Sequence, residues 1–152
     1  MAYTNVEGRQ ELLDALAEAI DEIGYALASL GAAYEELDEP TADRLEEELF
    51  GPVQVAYGRA KRAHGEFAGR HGLPGRAFEQ QSPGLPSTRA RGFIDHAVEA
   101  VGQASDMLAA AQDMPALLEV GDPELRAGLM EVRRQLAEVP HRARDLVRTL
   151  GR

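Results

Sequence analysis

The chain has 152 residues, a formal net charge of -10, and neither cysteine nor tryptophan. That length suits one domain with its own core, and the missing thiols exclude disulfides, thiolate zinc sites and cysteine nucleophiles. Acidic balance and few aromatics argue against a general nucleic-acid binder, and without a leader pattern or ~18 consecutive apolar residues the chain reads as soluble and cytoplasmic, with no membrane span.

Alanine, leucine and glutamate dominate, which favours helix. The first helix is expected to open at Thr4, with Glu7 three residues on as a capping box. Its apolar line runs Leu13, Leu16, Ile20, Ile23, Leu27, Leu30, Tyr34, Leu37, alternating by three and four as a heptad seam does. Ala17, Gly24 and Gly31 form a second row, small enough for a neighbouring helix to approach. The second helix starts near Pro40, meets Gly51-Pro52, where a kink is expected, and runs to about Gly72. A glycine- and proline-rich loop, 73–86, follows.

A third helix is expected from about Ser87, with Ile94, Val98, Val101, Ser105 and Leu108 on one face and alanines alongside. Asp122 caps the fourth, which carries Leu125, Leu129, Val132, Leu136, Val139, Ala143, Leu146 and Leu150 and should bend at Pro140. These elements predict one all-α domain over 1–152, an antiparallel four-helix bundle made of a hairpin 4–72, the loop and a hairpin 87–151. The expected order is up-down-up-down, although ~15 loop residues at ~3.3 Å each also reach the ~40 Å length of a helix.

Residues 1–50 hold 14 acids against Arg9 and Arg44, while 51–91 hold seven bases against Glu66 and Glu79. In an antiparallel hairpin Arg59, Arg62 and Arg70 fall level with Glu7, Glu11, Asp14 and Glu18, which predicts charge pairs worth ~0.2–1 kcal/mol each. The up-down-up-down order would also gather Arg59, Arg70, Arg89, Arg91, Arg144 and Arg148 at a basic pole, an anion-binding candidate, opposite an acidic one. Gly51, Gly58, Gly65 and Gly69 share the outer face of the second helix with Arg62. Each costs about 0.8–1 kcal/mol relative to alanine, so this strip is a candidate contact surface for a second copy or a helical protein partner.

Two motifs test for metal. Glu138-Val139-Pro140-His141 has the Glu-x-x-His form and His96-Ala97-Val98-Glu99 reverses it, so the chain resembles ferritin-like bundles in architecture and in two imperfect motifs. Both pairs point away from the apolar faces and the first helix's seam is apolar, so His96, Glu99, Glu138 and His141 are weak ligands and no metal or cofactor is expected. Tyr57, His64 and His71 lie seven apart on the apolar side of the second helix, each ~10.5 Å from the next, too far to share one metal but placed to line a ligand site. No serine sits in a nucleophile context and no phosphate loop follows a strand. The function expected is therefore non-catalytic, a helical interaction or oligomerisation module, with a ligand- or metal-binding bundle as the alternative.

Overall fold

A computed structural model describes residues 4–84 and 89–150, and among these every regular element is helical. Thr4 caps α1 (Asn5–Glu35), its side-chain oxygen accepting the Glu7 amide at 3.1 Å and satisfying a donor that a helix start leaves unpaired. Leu13, Leu16, Ile20, Ile23 and Leu30 of the heptad seam are buried. Asp38 opens α2 (Glu39–Leu45) by accepting the Thr41 amide at 2.9 Å. α2 continues through a π-helical turn (Glu46–Phe50) into α3 (Gly51–Arg70), so the three make one rod.

Pro52 accounts for that turn. It has no N–H for the carbonyl four residues back, and its ring crowds that carbonyl. The carbonyl belongs to Glu48, and it accepts instead from the Arg142 guanidinium at 3.5 Å. At the other end of α3, Gly72 takes φ 69 and the Leu73 amide reaches back to the Ala68 carbonyl at 2.8 Å. A residue without Cβ enters this left-handed turn at little cost, and the turn sends the chain off the helix axis.

The second half holds α4 (Arg89–Gln112), the short α5 (Pro115–Val120), α6 (Pro123–Ala137) and α7 (Val139–Leu150). Ser87 and residue 151, the expected limits of this half, lie outside the described residues. The fourth rod breaks between α6 and α7, beside Pro140. Its seam is buried from Leu125 to Leu146.

Contacts between the ends correct the expected up-down-up-down order. Arg9 donates to the Val120 carbonyl at 3.0 Å, and Arg70 grips Asp122 through hydrogen bonds of 2.8 and 2.9 Å. The start of α1, the end of α3, α5 and the start of α6 therefore share one end of the molecule. The Arg142 contact with Glu48 places α7 at the opposite end, against the π turn. Residues 71–84 travel back between these ends. Arg76 pairs with Asp21 at 2.9 Å, Phe78 stands edge-on to His64 with ring centroids 5.3 Å apart, and a Cβ on Gly84 would come within 3.1 Å of the Tyr25 hydroxyl.

α4 packs on α1 more extensively than any other pair of helices packs. Glu22 feels the charge of Glu99, and Tyr25 shares a cleft with His96, so the two helices run in opposite directions about that level. In this register Ala19, Ala26 and Ala33 fall level with Ala104, Ala97 and Ala90, all buried and each row spaced by seven. α3 lies mainly against α6.

Asp122 ties the ends together, accepting from the Leu125 amide at 2.8 Å, from Arg70, and pairing with His71 Nε2 at 2.9 Å. Burial alone would raise its carboxyl, but the hydrogen bonds from Arg70, Leu125 and His71 outweigh that and hold it at about 2, against an ordinary 3.8. A folded value below the unfolded one means the stabilisation is complete above about pH 4 and is lost as pH falls toward 2. Asp122→Ala is expected to lower the unfolding free energy at neutral pH by about 2 kcal/mol. In urea melts the gap between variant and wild type should close as pH falls through that window.

Candidate functional site

The segment 72–84 lies against the side of α3 that carries Tyr57 and His64, and His71 follows the last residue of that helix. His71 is held by Asp122, so it belongs to the helix junction. His64 is 3% exposed and lines a cleft of about 380 Å³ with Gln10, Asp14, Glu18 and Arg76. Tyr57 lines a larger groove of about 650 Å³. Phe78 divides them, since it packs on His64 and forms part of the groove wall.

The groove's floor is α1, where Leu27, Ala28 and Ala32 supply apolar surface beside Gly24 and Gly31. A Cβ on Gly24 would come 3.3 Å from Gln81 and 3.4 Å from the Tyr57 ring, while one on Gly31 would meet nothing within 4 Å. The small-residue row of α1 thus deepens a groove instead of seating another helix. Phe50 and Tyr57 form one wall, and Phe78, Gln80, Gln81 and Pro83 of the crossing segment form the other. Burial, with the Asp21 charge beside it, raises the Tyr57 phenol and keeps its hydroxyl protonated.

Lys61 also lines this groove, and it is the only lysine in the chain. Its ammonium lies 4.2 Å from the centroid of the Tyr57 ring, an attraction worth ~0.5–1 kcal/mol where water has access. No carboxylate among the described residues pairs with it. Nothing in the periodicity of the second helix singles Lys61 out, but its uniqueness among fifteen arginines is visible in the sequence.

The other candidates are dispersed. Arg59 turns to Glu131 at 3.8 Å and Arg70 to Asp122, so these two arginines of α3 pair with α6 and its N-cap. Arg91, Arg144 and Arg148 line a cleft between α4 and α7 at the far end, where Arg148 pairs with Asp145 at 3.2 Å, and Arg89 begins α4. The six arginines expected at one pole are therefore divided between two ends, because the crossing segment reverses the second half of the chain.

His96 and Glu99 meet Glu22 in a cleft of about 230 Å³, and burial followed by the charges of Glu99 and Asp21 raises the Glu22 carboxyl. Glu138 is exposed elsewhere and His141 faces Asp145 at 3.5 Å. Among the described residues no group of three or more His, Asp or Glu is arranged to hold a metal ion. On the outer strip of the second rod a Cβ at Gly65 or Gly69 would meet nothing within 4 Å, and one at Gly58 would meet only Arg62, at 3.9 Å. Gly51 differs, since its Cβ would press on the Glu46 carbonyl of the π turn at 3.2 Å.

No family model matches the chain, and no curated protein or solved structure matches it either. The functional reading therefore rests on these sites.

His64 supplies a pH signature for the packing around the crossing segment. Burial and then the Arg76 charge lower its pKa, against the Leu13 carbonyl and Asp14, which raise it. With the folded value below the ordinary 6.5, the unfolded chain takes up a proton that the folded chain refuses as pH falls, so stability drops on acidification. Thermal melts should show a lower midpoint at about pH 5 than at about pH 7, with a smaller drop in His64→Leu. Equal drops would contradict a neutral, buried His64.

Proposed function

We propose that the four rods form an antiparallel bundle with one lengthwise crossover, and that the protein works by non-catalytic association, taking a small apolar molecule into the groove between α1, the α2–α3 rod and the crossing segment. The observation that carries this is the groove's form. It has about 650 Å³ of space over an apolar floor, with Tyr57, Lys61, Gln80 and Gln81 at its edge. Ligand pockets typically span ~300–1,000 Å³ and join an apolar lining to a few orienting polar groups. Apolar surface of this kind gains about 25 cal/mol per Å² when a ligand removes it from water.

A second reading is self-association through the outer strip of the second rod. Val55 favours it, being 55% exposed on the same strip as Gly58, Arg62, Gly65 and Gly69. Light scattering tests it directly: a chain that stays monomeric at high concentration and is indifferent to Gly65→Leu has no use for that strip.

The groove is tested by filling it. Gly31→Phe places a ring where a Cβ meets no neighbour, and it removes a helical glycine that costs ~1 kcal/mol, so the fold should not be weakened. Nile red, a neutral apolar dye, should bind the wild type with a blue-shifted emission and bind Gly31→Phe at least roughly tenfold more weakly. Equal binding by both would remove the groove from the account.

A further inference from the structure

The charges around the groove are arranged along its length. At one end Lys61 stands beside Tyr57 and opposite Gly24, and at the other end Glu35 closes the lining near Phe50. Gly24 and Glu35 are eleven residue steps apart along α1, which is about 16 Å of helix. The acid lies where α1 ends, so the partial negative charge of the helix's C-terminus adds to it. Between the two ends the lining is apolar on three sides, from Leu27 and Ala32, from Phe50, and from Phe78 and Pro83.

Arg59, Arg70 and Arg76 pair with Glu131, Asp122 and Asp21; among the described residues Lys61 has no carboxylate partner, as the neighbouring exposed Arg62 has none, but unlike Arg62 it lines the groove. Asp21 is the acid whose charge acts on the Tyr57 hydroxyl, and Arg76 already pairs with it at 2.9 Å. Lys61 is left with a ring face as its contact and an open groove beside it. An ammonium is a compact point charge with three donors and a flexible stem, suited to a single anionic head that approaches from the groove. The Gln80 and Gln81 amides and the Tyr57 hydroxyl on the same lining supply further donors.

We propose that the groove takes a straight-chain amphiphile with a carboxylate head, the head at Lys61 and the apolar tail running along α1 toward Phe50. The inference rests on the groove being a ligand site, and adds the ligand's chemical class and direction. Glu35 fixes the direction, because a carboxylate placed at its end would meet like charge while an apolar tail would not. A neutral alcohol of the same length shares the tail's burial and lacks the head's charge.

Decanoate and decan-1-ol, each below its aggregation limit, provide the comparison by isothermal titration calorimetry at low salt. The wild type is expected to bind decanoate roughly tenfold more tightly than decan-1-ol. Lys61→Met, which keeps the stem and removes the charge, should erase that difference by weakening decanoate roughly tenfold. Because the chain has one ε-amine, mass spectrometry can also follow reductive methylation of Lys61, and decanoate should slow it where decan-1-ol does not. Decan-1-ol bound as tightly as decanoate, or a preference that survives in Lys61→Met, would overturn the carboxylate assignment and leave the groove standing. Binding of neither compound, with Nile red also indifferent to Gly31→Phe, would overturn the groove itself.

Discussion

Alanine rows set how closely α1 and α4 lie. The distance between two helix axes depends on the side chains at the contact, and Ala19, Ala26 and Ala33 meet the levels of Ala104, Ala97 and Ala90 with almost nothing to hold the backbones apart. Such a seam stabilises through many short-range dispersion contacts and sacrifices little side-chain entropy. Two rows spaced by seven also restrict the register, because a slip of α4 along α1 by fewer than seven residues aligns none of the pairs, and the sense adopted is antiparallel about Glu22 and Glu99. Once α4 is laid on α1 in that sense, its start must lie near the end of α1. The chain leaving α3 at Gly72 then has to run the length of the molecule to reach it.

That traverse makes the groove. Residues 71–84 cannot bury themselves as a helix, since glycine and proline recur through them, so they lie as a strap over the gap between α1 and the second rod. Few interactions hold the strap. The Arg76–Asp21 pair is largely exposed and worth ~0.2–1 kcal/mol. Phe78 contributes more, packed edge-on against a buried His64 and under the Arg76 guanidinium, 4.9 Å from its ring centroid. A wall with so few contacts opens at a smaller free energy than the rods do, which suits a site that must admit a ligand. Where the strap rises past Tyr57, Gly24 leaves room for the ring, and Gly31 leaves the space beyond it empty.

Much of this was legible in the residues, and what escaped did so for physical reasons. The three-four alternation identified the buried faces of the first, third and fourth rods because burial of a stripe is the first demand on any amphipathic helix. Thr4 and Asp122 were readable as caps, and Pro52 and Pro140 as interruptions, because these are local effects of one residue on its own backbone. The direction of the third rod was not readable from its apolar stripe, which says which face is buried and not which neighbour buries it. Charge pointed the wrong way. The bases of 59–70 suggested partners on α1, yet exposed pairs contribute too little to compete with a continuous alanine seam, and Arg59 and Arg70 found Glu131 and Asp122 on α6 instead. The seven-residue rows of alanine on the first and third rods were present in the sequence, but rows of equal spacing match in either direction and so leave the sense of the third rod open. Lys61 offered only its singularity, and the groove that gives it meaning is formed by three segments far apart in the chain.

Distances across the bundle decide whether the alanine seam orders the fold in this way. The chain has no native cysteine, so spin labels can be placed at the exposed positions Gln10, Glu36 and Glu119 in pairs and measured by double electron–electron resonance. The seam puts Glu119 at the same end as Gln10, so that pair should be short, while Glu36 and Glu119 should be separated by roughly the length of α1, about 40 Å. A short Glu36–Glu119 distance with a long Gln10–Glu119 distance would mean that α4 lies on α1 the other way up, and neither the crossing strap nor its groove would exist.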